Sequence, residues 1–290
     1  MPPTPTETSV PAHGSGSFAI GGELNVYRLG FGAMRLPGIR GQATVDTARA
    51  AHEVLREAVR LGVNLIDTAQ AYGRSEELIA EALHPYPEGL VIATKGGLRR
   101  GDDPDGRPER LRADCEGSLR RLRVDTIDVW QLHRIDPGVP VEEQFGAIGQ
   151  LRDEGKIRFV GVSEVTIDEL RRARELIDIA TVQNRFNVAD PTAAEVLSVC
   201  EADGIGFLPW APIDMGELAR SSGVLAALAV RHGATPAQVA LAWLLHRSPV
   251  VLPIPGTGSA EHLSENVNAA LIELSKEDLR ALEPTRSRDA

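Results

Sequence analysis

Cysteine is scarce in this sequence. The 290-residue chain contains two, Cys115 and Cys200, both in stretches with a helical pattern and neither with a partner at metal-ligand spacing. This excludes a disulfide framework and predicts neither a zinc site nor another metal centre. A reducing compartment suits such a chain, so we expect a cytoplasmic protein.

Basic charge and long apolar runs are also in short supply. Lys and Arg number 31 against 41 Asp and Glu, and the resulting net charge of -10 argues against a nucleic-acid partner. No apolar run reaches the roughly 20 residues that a membrane-spanning helix needs, so no membrane partner is expected. Residues 1–17 are rich in Pro, Thr, Ser and Gly and lack the basic and apolar regions of a signal peptide. They predict a flexible N-terminal tail.

What the sequence does contain is a regular alternation of two kinds of segment. Two short segments flanking Gly21 and Gly22 predict an N-terminal β-hairpin. After it, short apolar segments alternate with amphipathic helical segments eight times, with no break in composition. This predicts an α/β fold, a (β/α)8 TIM barrel that forms one domain over residues 18–290. The rival, an open doubly wound sheet, usually carries a Gly-x-Gly-x-x-Gly turn, which is absent here.

The mouth of such a barrel is where a site is expected, because the carboxyl ends of all eight strands converge there. Six of the eight predicted strand ends are polar or aromatic, which a purely structural rim does not require. The eight strand ends are Met34, Asp67, Lys95, His133, Ser163, Gln183, Trp210 and Ile254.

Four titratable side chains are predicted to share this mouth: Asp67, Tyr72, Lys95 and His133. Taken singly, each has a structural explanation, such as a turn-forming Asp67 or a Lys95 whose ammonium reaches solvent. Together they suit proton transfer, because a lysine ammonium can lower a tyrosine pKa from its free value of about 10. No Gly-x-Ser-x-Gly motif supports acyl transfer. Carbonyl reduction fits the group, with a cofactor supplying the hydride.

The motifs around these residues resemble those of the aldo-keto reductase family. The segments are "IDTAQAY", "IATK", "DVWQLH", "GVSE", "VQNRFN", "FLPWAP" and "IPGTGSAEHLSEN", in this order between about residues 27 and 271. The resemblance implies a catalytic tetrad in which Tyr72 donates a proton to the carbonyl oxygen. The other members are Asp67, Lys95 and His133.

The resemblance also implies a nicotinamide cofactor at the mouth. Trp210 would stack on the nicotinamide ring, while Ser163 and Gln183 would hydrogen-bond its carboxamide. The helix that begins near Ser259 could offer backbone amides to a phosphate. The implied cofactor contacts are Gly32, Ala33, Met34, Asp67, Ser163, Gln183, Trp210, Pro212, Ile254, Gly256, Thr257, His262, Glu265 and Asn266.

Three positions depart from the family pattern. Many relatives have Asn where this chain has Glu164. Asn can donate hydrogen bonds, whereas an ionised Glu can only accept them. Many also place Lys and Arg against the adenosine 2'-phosphate, where this chain has Gly256 and His262. NADPH is the preferred cofactor, with NADH as the alternative.

The predicted function is reversible reduction of a small aldehyde or ketone by a protein that is monomeric or a small homo-oligomer. One alternative is a cofactor-binding regulatory or redox-sensor barrel with negligible turnover, which would carry the same tetrad. Another is a Schiff-base aldolase that uses Lys95. It would not need Trp210, Gln183 or the "IPGTGSAEHLSEN" segment.

Overall fold

A short N-terminal hairpin precedes the strands and helices of a barrel in this chain. The computed structural model describes residues 10–39, 44–99 and 103–283. A β-hairpin of β1 (Ser17–Ile20) and β2 (Leu24–Tyr27) comes first, as predicted. Seven parallel strands follow and pair in sequence order. They are β3 (Phe31–Gly32), β4 (Leu65–Asp67), β5 (Val91–Gly96), β6 (Ile127–Leu132), β7 (Ile157–Ser163), β8 (Thr181–Gln183) and β9 (Gly206–Phe207).

The ring closes through an eighth segment, residues 250–255, which is not a regular strand. On one side, the amide of Leu252 donates to the carbonyl of Phe207 at 2.7 Å. On the other, Gly30 donates to Pro253 at 2.9 Å and Gly32 donates to Pro255 at 3.2 Å. Proline has no N–H to return the bonds from Gly30 and Gly32, so the pairing with β3 runs in one direction only, whereas Phe207 both donates to Val250 and accepts from Leu252. The predicted (β/α)8 barrel is confirmed, with its eighth strand reduced to this segment.

Helices surround the sheet because each connection between parallel strands must cross over its face. Thr44, Thr166, Thr235 and Ser275 each cap a helix through a reciprocal pair of hydrogen bonds with the third helical residue. The helices are α1 (Val45–Arg60), α2 (Ser75–Leu83), α3 (Pro108–Leu122), α4 (Val141–Asp153), α5 (Ile167–Leu176), α6 (Ala194–Asp203), α7 (Val224–Arg231), α8 (Pro236–Arg247), α9 (Ala260–Asn268) and α10 (Lys276–Leu282). No helix in the described ranges is long and apolar enough to cross a membrane.

The hairpin closes the amino-terminal end of the barrel. Its buried residues Ile20, Leu24 and Val26 belong to one apolar cluster with barrel-interior residues such as Val129 and Leu252. The opposite, carboxyl-terminal end therefore remains the open one.

Two boundaries differ from the sequence-based prediction. The flexible tail was predicted to extend to residue 17, but residues 10–17 are part of the fold: Pro11–Ser15 form a 3-10 helix in which Ala12 is buried, and the Ser15 hydroxyl accepts from the amide of Leu29 at 3.1 Å. Residues 1–9 of that tail lie outside the described residues. Met34, predicted as a strand end, lies in a 3-10 helix just beyond β3, Ala33–Arg35.

Candidate active site

A cleft of about 780 Å³ opens at the carboxyl ends of the strands. Most of the predicted site residues line it. These are Gly32, Met34, Asp67, Tyr72, His133, Ser163, Gln183, Trp210, Pro212, Ile254, Gly256, Thr257, His262, Glu265 and Asn266. Two predicted residues do not reach the cleft surface: Ala33 and Lys95 are each 0% exposed.

Lys95 lies beneath the cleft floor, held by the end of β4. Its Nζ donates to Asp67 Oδ2 at 2.6 Å and to the backbone oxygen of Thr68 at 2.8 Å. Both side chains of this ion pair are almost wholly buried. Burial on its own lowers the pKa of Lys95, but the charge of Asp67 and the phenol of Tyr72 more than offset it, so the pKa is raised overall. The lysine is therefore charged at neutral pH.

Tyr72 lies between this ammonium and the cleft. The Lys95 Nζ is 5.1 Å from the centre of the Tyr72 ring. The sequence-based expectation was a lowered tyrosine pKa. Instead, burial raises the pKa of Tyr72 above its ordinary value, and Lys95 opposes this shift without reversing it. The hydroxyl is thus a protonated donor throughout the neutral range.

His133 packs edge-on against Tyr72, with 6.0 Å between ring centres and 81° between planes. Burial, and then the nearby charges of Lys95 and Arg134, hold the pKa of His133 well below its usual value. The imidazole is therefore neutral. Its Nδ1 is buried and has no partner in the described part of the chain.

Gln131 is a residue that the sequence-based prediction missed. Its Nε2 donates to Asp67 Oδ1 at 3.2 Å, and Gln183 Nε2 donates to the same oxygen at 2.9 Å. Asp67 therefore gives one oxygen to Lys95 and the other to two amides. Gln131 lies on β6, two residues before His133, which directly follows that strand. Strand alternation therefore directs both side chains to the same, inward face, and this was the signal available in the sequence. Gln183 was expected to contact a carboxamide, and its Oε1 is the atom left for a ligand.

Glu164 holds Trp210 in the cleft wall. The indole Nε1 donates to Glu164 Oε1, which also accepts from the backbone amide of Arg185 at 2.8 Å. The Arg185 guanidinium lies 5.6 Å from the Trp210 ring centre. Glu164 has a left-handed backbone, with φ of 55°, a conformation that Asn adopts more readily than Glu. Trp210 is thereby fixed through its one polar atom.

The opposite end of the cleft is formed by the eighth segment and α9. A Cβ on Gly32 would lie 2.6 Å from the backbone oxygen of Ile254, and one on Gly256 would lie 2.6 Å from the backbone oxygen of Gly32. Glycine is required at both positions for the two backbones to approach. The Ser259 hydroxyl caps α9 by accepting from the amide of His262 at 3.3 Å. The other amides of the first turn of α9 have no acceptor within the helix, as at any helix start, and His262 of that turn lines the cleft.

The family model described as "Aldo/keto reductase family" matches residues 28–286. The chain belongs to this family. Aldo/keto reductases similar to it include solved structures: one from Klebsiella pneumoniae in complex with NADPH has a TM-score of 0.80 and 27% identity, covering 93% of this chain and 96% of that one.

Curated relatives match this aldo/keto reductase over nearly its whole length. An uncharacterized oxidoreductase of Schizosaccharomyces pombe is 44% identical over 100% of this chain and 96% of its own. The pyridoxine 4-dehydrogenase of Escherichia coli is 39% identical over 93% of this chain and 98% of its own.

The state of Lys95 separates this aldo/keto reductase from a Schiff-base aldolase. A Schiff base forms from a neutral amine, which enzymes obtain by lowering a lysine pKa. Lys95 has a raised pKa, is paired with Asp67 and does not reach the cleft surface. Its ammonium lies 5.1 Å from the centre of the Tyr72 ring and is closed off from the cleft.

Proposed function

We propose that the protein catalyses reversible, NADPH-dependent reduction of an aldehyde or ketone to the alcohol. The observation that carries this proposal is the position of Tyr72, a protonated phenol at the cleft floor that lies over the buried Lys95 ammonium and packs edge-on against the neutral His133 ring. This arrangement serves a reaction that delivers a proton to oxygen and leaves the residual negative charge beside a cation.

The cleft residues fit a nicotinamide dinucleotide. Trp210 offers an aromatic face with its plane fixed by Glu164, and Ser163 and Gln183 offer hydrogen-bonding groups beside it. Gly32 and Gly256 remove side-chain bulk where the two backbones meet. The α9 amino terminus suits a phosphate. The NADPH bound by the Klebsiella pneumoniae relative supports the same cofactor here, and it would supply a hydride to the carbonyl carbon.

Side chains of the protein then supply and stabilise the proton transfer to the carbonyl oxygen. The Tyr72 hydroxyl donates to the carbonyl oxygen, and its proton passes to that oxygen as the alkoxide forms. Lys95 stabilises the resulting phenolate electrostatically, while Asp67 keeps the ammonium in place. The neutral His133 imidazole can donate one hydrogen bond that orients the carbonyl. In alcohol oxidation, the phenolate takes the proton back.

The decisive experiment is absorbance-monitored NADPH oxidation with a panel of aldehydes and ketones. Because the Escherichia coli relative is a pyridoxine 4-dehydrogenase, the panel includes pyridoxal, with pyridoxine and NADP⁺ for the reverse direction. Turnover would establish a reductase. Tight NADPH binding with no turnover on any substrate would instead support the redox-sensor alternative.

Cofactor preference should respond to His262. It lies on the first turn of α9 and lines the cleft, at the position where the family resemblance implies a cation against the 2'-phosphate. His262→Arg should raise affinity for NADPH about tenfold and leave NADH nearly unchanged, because only NADPH has a phosphate to accept charge-assisted bonds. Fluorescence titration with both cofactors measures this.

The control is Glu261→Arg, which replaces a carboxylate with a cation on the same turn of α9, a larger change of charge, at a residue outside the cleft lining. It should change the NADPH/NADH affinity ratio much less. Equal gains from the two variants would mean a general charge effect, and the placement of the 2'-phosphate beside His262 would be wrong.

Glu164 should affect cofactor binding through Trp210. Glu164→Ala removes the acceptor that fixes the indole and should weaken NADPH binding about tenfold, the scale of a hydrogen bond to a charged group. Glu164→Gln keeps an acceptor oxygen and should lose less. In a Trp210→Phe background, where no indole N–H exists, Glu164→Ala should add little. A full tenfold loss in that background would show that Glu164 acts by another route.

A further inference from the structure

Arg134 is a charged side chain in the cleft wall that the proposed proton chemistry does not use. It follows His133 at the end of β6 and lines the cleft together with Tyr72 and Ser163. Its Nη1 donates to the backbone oxygen of His133 at 2.8 Å and to Ser163 Oγ at 3.3 Å. Both acceptors are neutral, so the guanidinium charge is not compensated by them.

No carboxylate compensates it elsewhere in the described part of the chain. Arg134 forms no salt bridge there, and its Nε and Nη2 donate to no described atom. Arg220, another arginine of the cleft, differs because it pairs with Glu217 at 2.5 Å. Arginine carries five N–H donors in a planar fork, and most of those on Arg134 therefore have no protein acceptor.

The cleft as a whole has the opposite charge balance to the chain. The chain has a net charge of -10, yet the cleft lining contains three arginines, Arg35, Arg134 and Arg220, against two carboxylates, Asp67 and Glu265. Arg220 is paired with Glu217 and Asp67 with Lys95, which leaves Arg35 and Arg134 against Glu265. A cleft of this kind concentrates anions from solution.

Arg134 is the arginine at the reacting end. It is adjacent in sequence to His133, and its charge is one of the causes that lower the pKa of that imidazole, after burial and Lys95. It also opposes the burial-driven rise of the Tyr72 pKa. Because Tyr72 packs against His133 and Arg134 follows it in the same cleft lining, an anionic group held by Arg134 would lie within one small molecule's length of a carbonyl oxygen held by Tyr72.

We propose that Arg134 binds a carboxylate of the substrate, and that the substrates are aldehydes or ketones that carry such a group. The inference rests on the proposed reductase function and names its substrate class. A carboxylate matches the planar fork with two parallel hydrogen bonds. The reaction balance is unchanged: the carbonyl carbon gains a hydride, its oxygen gains the Tyr72 proton, and the carboxylate stays as it is.

The test uses two acids, phenylglyoxylate and 4-carboxybenzaldehyde, each beside its methyl ester. The wild type should favour both acids over their esters in kcat/KM. Arg134→Met should lower the acid/ester ratio about 30-fold or more, on the scale of a charge-assisted hydrogen bond, and Arg134→Lys should keep part of it. Arg171→Met, exposed on α5, is the control for removal of any arginine and should keep the wild-type ratio.

A second measurement needs no turnover. Calorimetric titration of benzoate into the NADPH complex should show binding to the wild type and its loss in Arg134→Met. This separates the inference from the function on which it rests. If no carbonyl is reduced but benzoate binding depends on Arg134, the anion site stands and the reductase function fails.

Two results would overturn the inference while leaving a reductase in place. One is an acid/ester ratio of kcat/KM that Arg134→Met does not change, together with benzoate binding of equal affinity in the wild type and the variant. The other is a parallel loss for acids and esters accompanied by weaker NADPH binding. That pattern would mean that Arg134 acts on the cofactor by positioning Ser163.

Discussion

Tyr72→Phe should lower kcat for aldehyde reduction at least about 100-fold, the scale of losing a positioned general acid. The substitution removes one hydroxyl and keeps the ring that packs on His133 and faces Lys95. Cofactor affinity should therefore survive, which fluorescence titration with NADPH would show. Steady-state rates with the best aldehyde of the panel give kcat.

Tyr86→Phe is the matched control. Tyr86 is a partly buried tyrosine whose hydroxyl donates to the backbone oxygen of Leu122 at 2.7 Å, outside the cleft. Its loss should cost some stability and leave kcat close to wild type. Near-normal reduction by Tyr72→Phe would show that another group donates the proton, and the proposed roles of Lys95 and His133 would fail with it.

Lys95→Met should abolish most reduction, because the phenolate formed by Tyr72 would lose its neighbouring cation. It should also destabilise the fold by roughly 3 to 5 kcal/mol, because Asp67 would remain buried without its partner. Thermal melting and kcat, measured together, report the two effects. Lys156→Met, which removes a partly exposed lysine paired with Glu116, is the control for both.

The double variant Asp67→Asn/Lys95→Met separates stability from chemistry. Removing both charges of the buried pair should restore much of the melting temperature, while reduction should stay low because no cation faces Tyr72. Recovery of activity in the double variant would mean that Lys95 serves only to neutralise Asp67. Lys95→Arg should also be impaired, since a wide planar fork replaces a compact ammonium in a fully enclosed space.

Lys95→Met should also change the pH dependence of alcohol oxidation. In alcohol oxidation Tyr72 must be deprotonated, so the rate rises as pH approaches its pKa. Lys95 lowers that pKa against the larger effect of burial, so removing Lys95 moves the pKa further upward. The residual oxidation by Lys95→Met should therefore rise at higher pH than in the wild type. An unchanged or lower midpoint would contradict the assignment of this ionisation to Tyr72.

Much of the barrel and its central group could be predicted because both follow from periodic patterns. Alternating segments imply crossovers, and crossovers bring Asp67, Lys95 and His133 to one rim from strands far apart in sequence. Exposure within that rim is different, because it depends on the length and packing of each side chain. Lys95 was expected to line the mouth and is instead enclosed beneath Tyr72.

Other features depend on interactions that no single segment encodes. Gln131 contacts Asp67 across the barrel, and Glu164 contacts Trp210 across 46 positions of sequence. The packing of residues 10–17 against the barrel depends on contacts such as that between Ser15 and Leu29. Such contacts can be identified only when the register of the paired strands and the positions of the loops are known.

The proline-containing eighth segment has a consequence for the local stability of the barrel. Gly30 and Gly32 donate to Pro253 and Pro255, but these prolines have no N–H to donate in return. The eighth segment is therefore joined to β3 by about half the hydrogen bonds of a usual ladder. Regions with few backbone bonds open first. Gly32 lies on the β3 side of this junction, and Ile254 and Gly256 lie on the side of the eighth segment, all in the cleft lining. A dinucleotide bound in the cleft would contact both sides and hold them together. By mass action, bound cofactor would then stabilise this junction against local opening, in addition to supplying the hydride.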